Sequence, residues 1–194
     1  MSPILGIYAS QMSGHLWPAS SYESISTTTV GAGGVSSVTF SSIPSTYTHL
    51  QIRGIARANT GGNTNTVGLD MQFNSDTGAN YSTSHVLYGT GSSALAAASA
   101  ASQTNGTAVN YTGSAQTASV FGVFVIDILD YANTNKYKTI RGLGGSDSND
   151  TNGIVTFRSF AWMSTSAISS ITLGITKDLA QYSSLALYGI KGVA

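Results

Sequence analysis

The chain has 194 residues and no cysteine, with 41% hydrophobic residues, 8% charged residues and a formal net charge of zero. That length suits one β domain with a terminal extension, and the hydrophobic share excludes global disorder. The charge balance excludes the basic footprint of a nucleic-acid or anionic-membrane binder, and the missing thiols exclude a disulfide framework, a thiolate metal site and a cysteine nucleophile.

Charge is scarce beside the roughly 25% of an average soluble domain: four Lys, four Arg, seven Asp and the single Glu23. Ser, Thr, Asn and Gly take their place. Such a surface makes neutral hydrogen bonds and has little charge repulsion to hold neighbours apart, which suits a protein packed into an assembly.

Residues 1–21 read as an arm outside the domain of residues 22–194. Its apolar residues Ile4, Leu5, Ile7, Tyr8, Leu16 and Trp17 follow no lasting period. Left in water they would be a liability, so they are expected to dock on partner subunits; a mobile tail, or a strand against the chain's own domain, are the alternatives. The opening residues lack the basic region and long apolar run of a signal peptide, and no stretch reaches the ~18 apolar residues of a spanning helix.

From Tyr22 onward the dominant period is two. Strands are expected over residues 23–30, 35–40 and 49–57, the last with Leu50, Ile52 and Ala56 alternating with His49, Gln51, Arg53 and Arg57. Val67, Leu69, Met71 and Phe73 alternate with Gly68, Asp70 and Gln72, giving one core face and one solvent face. Another strand is expected over 81–88. Residues 89–116, rich in Gly, Ser, Thr and Asn, read as a long surface excursion in which 94–101 could form a helical turn or two.

The segment 119–129 differs. Val120, Phe124, Ile126 and Ile128 fall on one side, and Phe121, Val123, Val125 and Leu129 on the other. A strand apolar on both faces sits centrally or has its outer face covered by a subunit. Strands over 137–143, 154–163, 168–175 and 182–190 complete the series, with turn chemistry at 31–34, 74–78, 130–135 and 144–153. Many short strands without a helical period predict an all-β, two-sheet antiparallel sandwich, jelly-roll-like in topology.

Residues able to do chemistry are sparse. His15, His49 and His85 form no spaced ligand pair. Asp127 and Asp130 are the one carboxylate pair beside a strong strand end, but an Asp opening a turn ordinarily caps its own backbone; no nucleophile elbow is present, and no catalytic residue or cofactor is expected. Asp147 and Asp150, with Asn149 and Asn152, and separately Asn74 with Asp76, offer weak calcium candidates whose spacing does not match an EF-hand loop; the default is polar turns without a metal. Tyr88, Tyr111 and Tyr131 lie near expected loops or strand ends, where an aromatic face would contact a glycan or a subunit interface.

Three segments carry a resemblance: SSVTFSSIPSTYTHLQIRGIAR at 36–57, VIDILDYANTNKYKTIR at 125–141 and QYSSLALYGIKG at 181–192. Together with the opening ILGIYASQMSGHL they resemble virion-associated β-sandwich proteins of tailed phages, of the kind found in cyanophages and other aquatic phages. The resemblance implies a structural protein of the virion with no catalytic motif to carry across; the missing cysteine fits assembly in the reducing host bacterial cytoplasm, and the expected place is the virion surface. With the scarce charge, the apolar arm and the two-sided apolar segment 119–129, the expected partners are other copies of itself, as a homotrimer, and the major capsid protein or tail proteins. A capsid decoration or cement protein is the leading expectation; a tail-fibre or receptor-binding module recognising host surface glycan is the alternative. Neither nucleic acid nor membrane is an expected partner.

Overall fold

The computed structural model describes residues 21–59, 64–82, 85–90, 93–97, 102–147 and 153–191. They hold twelve strands and no helix. In chain order these are β1 (Tyr22–Thr29), β2 (Val38–Phe40), β3 (His49–Ala56), β4 (Thr66–Phe73), β5 (His85–Thr90) and β6 (Ser93–Ala97). They are followed by β7 (Gly106–Thr112), β8 (Gly122–Leu129), β9 (Lys138–Ser146), β10 (Ile154–Trp162), β11 (Ile171–Leu173) and β12 (Ser184–Ile190).

Pairing is nested: β1 with β12, β2 with β11, β3 with β8 and β4 with β7, all antiparallel. Cross-pairs β12–β3 and β11–β4 close the two sheets. This is the two-Greek-key order of a jelly roll, so the expected all-β sandwich is the observed fold. Two inserted hairpins, β5–β6 and β9–β10, extend one edge of the larger sheet. Its order becomes β1-β12-β3-β8-β9-β10-β5-β6, against a smaller sheet β2-β11-β4-β7.

The alternation read from the sequence explains which side each strand buries. Leu50 and Ile52 of β3, Phe124, Ile126 and Ile128 of β8, Ile140 of β9 and Leu185 and Leu187 of β12 face inward from the large sheet; Leu69, Met71 and Phe73 face them from β4. Aromatic rings concentrate at one end. Phe73 lies 5.5 Å from Trp162 and 6.3 Å from Phe160 between centroids, within the range where ring pairs attract.

Two glycines bring the sheets unusually close. A Cβ on Gly142 would lie 2.2 Å from the carbonyl oxygen of Ala108, and one on Gly144 would lie 2.8 Å from that of Asn110. The backbone of β7 therefore rides directly over β9, a close approach that any side chain would forbid.

Several expectations change. The stretch 89–116 is not one long excursion: it supplies part of β5 and the strands β6 and β7. Residues 93–97 pair with β5 as a strand rather than forming a helical turn; residues 98–101 lie outside the described residues. Polar, glycine-rich composition concealed β7 because its glycine serves packing. A Cβ on Gly106 would lie 2.0 Å from the Phe160 ring. The strand expected over 168–175 shrinks to Ile171–Leu173 and that over 35–40 to Val38–Phe40, with Val35 making one bridge to Leu179. Tyr81 belongs to no strand, bridging Gln103 and Trp162 singly. The turns at 74–78 and 130–135 stand, with Asn74, Ser75 and Asp130 in the left-handed region as Asn and Asp tolerate.

Candidate functional site

Alternation leaves the outer side of the large sheet to be described. Outward positions line up across strands in two rows. In the first, Ile55 of β3 faces Val123 of β8, then Gly145 of β9 and Val155 of β10. In the second, Arg53 is followed by Val125, Leu143, Phe157 and Leu87. Ile55, Val123, Leu143, Val155, Phe157 and Leu87 are all exposed, from 41% at Phe157 to 61% at Val155.

Five neighbouring strands at about 4.8 Å spacing make this face about 19 Å across. It is a contiguous apolar patch of the kind that marks an interaction surface. Gly145 interrupts the first row and leaves a shallow groove of about 250 Å³ bordered by Val123, Leu143 and Val155. A second groove of about 400 Å³ runs beside Ile55, Val125 and Tyr188.

Polar groups frame this face. Asp127 accepts hydrogen bonds from Gln51 Nε2 at 2.7 Å and Arg141 Nη2 at 3.1 Å. Arg53 donates to Gln51 Oε1 at 2.6 Å, and its guanidinium lies 5.4 Å from the Tyr22 ring and 5.5 Å from the Tyr188 ring. The charges are thereby held among partners at the margin, and the rows beyond Arg53 are uncharged.

The carboxylates considered for catalysis have separate structural roles. Asp127 belongs to the frame just described, while Asp130 pairs with Lys136 at 2.5 Å and its backbone N–H donates to His49 Nδ1 at 2.9 Å. The second calcium candidate is likewise taken up by donors. Asn74 Oδ1 accepts from the backbone N–H of Ser169 and Ser170, and Asp76 accepts from Trp162 Nε1 at 2.7 Å, Gly78 N at 2.9 Å and Asn80 Nδ2. Burial alone would raise the Asp76 carboxyl, but these donors outweigh it and hold the group below its ordinary value. Asp147 is exposed, and Asp150 lies outside the described residues. Among the described residues no three His, Cys, Asp or Glu gather as a metal would require.

The tyrosines require a correction. Tyr111 and Tyr131 are completely buried, so neither presents a ring face to a sugar. Tyr111 points into the core from β7, where burial, with Asp70 and Asp178 adding, raises its phenol and keeps it neutral. Tyr131 folds back so that its hydroxyl donates to the Pro44 carbonyl and accepts from the Tyr47 backbone N–H at 3.4 Å. Tyr111 lies near the end of β7 and Tyr131 in the turn at 130–135, as their positions predict, but both rings point inward. Nothing is described of the Tyr88 side chain, and the arm residues Ile4, Leu5, Ile7, Tyr8, Leu16 and Trp17 lie outside the described residues.

Two cations that the sequence left without a role organise loops. Lys138 is fully buried and donates to the carbonyl oxygens of Asn133 at 2.5 Å, Lys136 at 2.9 Å, Thr165 at 3.2 Å and Ser164 at 3.5 Å. Its pKa is lowered, chiefly by burial. Arg57 donates to the carbonyls of Ser114, Gln116, Thr117 and Val120, holding the β7–β8 connection. Carbonyl targets leave no pattern in a sequence, because every residue has one.

A polar pocket of about 400 Å³ lies on the smaller sheet, bordered by Thr66, Asp70, Thr107, Asn110, Arg158 and Lys177. Asp70 already accepts from Thr107 Oγ1 at 2.8 Å and from Thr176 Oγ1.

Compared with known proteins, the chain matches no family model, no curated protein and no solved structure.

Proposed function

We propose that this chain is a structural protein of a tailed-phage particle, carried on the particle surface as a capsid decoration or cement subunit and assembled there with other copies of itself. The observation that carries the reading is the apolar outer face from Ile55 to Leu87. A jelly roll needs only one side of each sheet buried to fold, so six large apolar side chains on the opposite side serve contact with another protein. Scarce charge over the whole chain and the phrases at 36–57, 125–141 and 181–192 support the same reading. A receptor-binding role through tyrosine-bearing loops loses Tyr111 and Tyr131, which are buried.

The test is uptake by particles. Purified protein is mixed with particles of the encoding phage that lack it, pelleted, and located by electron cryomicroscopy. Saturable binding with density on the head capsomers is the expected result. Density on the tail together with saturable binding on a glycan array replaces it with the receptor-binding role, and no uptake overturns both.

A further inference from the structure

We infer that the outer face of the large sheet receives residues 1–20 of a neighbouring copy of this chain. This deepens the assembly reading above and rests on it in taking the face as a protein contact.

The first argument is chemical complementarity. The two outward rows beyond Arg53 contain no charged residue from Ile55 to Leu87. A partner laying Lys, Arg, Asp or Glu over those two rows would strip water from those charges, and the charged groups at the margin, Arg53, Asp127 and Arg141, are already engaged with Gln51 or with one another. Residues 1–20 contain none of the four, and they offer Ile4, Leu5, Ile7, Tyr8, Leu16 and Trp17. Aliphatic and aromatic side chains of this kind are suited to the grooves on either side of Val123.

Length and direction come second. Twenty residues span up to about 66 Å when extended, more than three times the width of the face. Tyr22, where β1 begins, pairs with Ile190 and lies at the sheet end marked by His49. The strand runs from there to Thr29, level with Ser184, which is level with Ile55. The residues before Tyr22 therefore join the sheet at the end opposite the Ile55–Val123–Val155 row. Reaching that row on their own domain would require those residues to reverse the direction of β1.

The absence of cysteine makes introduced thiols unique reporters. Full-length Leu5→Cys and Val123→Cys proteins are mixed and oxidised, and the linked peptides are identified by mass spectrometry. A 5-to-123 link between chains is the expected product. In parallel, maleimide labelling of Val123→Cys is followed in the full chain and in a chain starting at Ser21, which retains every core residue among the described residues, from Val30 onward, and whose fold is checked by circular dichroism. Labelling is expected to slow with rising concentration in the full chain only.

Equal labelling of the two chains at every concentration overturns the inference. So does a link confined to one chain when both cysteines are placed in it, which assigns the face to the chain's own residues 1–20. Links from 123 to 123 without 5 to 123 assign it to a second copy's face instead. Particle uptake is scored separately: uptake without protection of Val123→Cys removes this inference and leaves the assembly reading, and protection without uptake does the reverse.

Discussion

Ile55 of β3 and Val123 of β8 are directly paired in register, and both side chains stand on the outer side of the large sheet, 44% and 60% exposed. Two apolar side chains side by side on an open sheet are only partly removed from water by folding, so much of their apolar area stays unburied. The proposed assembly would give that remaining apolar area a contact outside the domain.

The first prediction follows from that pair. Replacing Val123, Leu143 and Val155 together by Thr keeps β-branched or strand-compatible character while making the face polar. Each change is expected to alter stability by no more than about 0.5 kcal/mol, as for surface positions generally. Binding of the dye ANS and self-association in sedimentation are expected to fall; unchanged ANS binding in the triple variant would show that the dye reports some other surface.

Lys138 gives a stability prediction of the opposite size. Lys138→Met keeps the apolar stem but leaves the carbonyls of Asn133, Lys136, Ser164 and Thr165 without their shared donor. The expected loss is about 3 kcal/mol in urea denaturation, the range for buried polar groups robbed of a partner.

At Gly142, an added methyl group has nowhere to go, with the Ala108 carbonyl oxygen 2.2 Å and Val109 Cγ1 2.5 Å from the Cβ position. Gly142→Ala is expected to cost about 1–3 kcal/mol through overpacking, although alanine improves strand entropy. Chemical denaturation of the two proteins measures the difference, and a stabilised variant would contradict the close β7–β9 approach.

Thr112 is expected to behave the other way. Its hydroxyl is buried and makes no hydrogen bond among the described residues, so Thr112→Val removes an unsatisfied group at nearly constant shape. A gain of about 1 kcal/mol is expected, read as a higher melting temperature.

Asp76 sets an acid limit. Its folded pKa lies below the ordinary carboxylate value of about 4, so the unfolded chain binds the proton more readily. The contribution to stability is complete above that ordinary value and is lost as pH falls through the folded one. Melting temperatures measured between pH 6 and pH 2 are expected to drop in this acid range, and the drop is expected to be smaller in Asp76→Asn.

Period-two alternation made the fold class legible because it is a local property: Val67 to Phe73 and Leu50 to Ala56 declare their inward side without reference to any neighbour. The same holds for Val123 and Val125, whose apolar outward side was readable before any sheet was assembled. Strand β7 was not, since Gly106, Thr107 and Asn110 carry turn-like composition, and only the Phe160 ring above Gly106 reveals why a glycine is there. The burial of Tyr111 and Tyr131 is illegible for a related reason: nearness to a turn in sequence does not say whether a ring points out or, as at Tyr131, back toward Pro44.

By itself, then, the order of residues determined that extended segments form, which side of each is apolar, and that charge is nearly absent. Tertiary structure alone decided that Ile55, Val123, Leu143, Val155, Phe157 and Leu87 stand together as one face, and that Lys138 and Arg57 grip loop carbonyls. The physical reason is that side-chain alternation is written within a strand, whereas neighbours across a sheet are chosen by hydrogen-bond register between segments far apart in the chain.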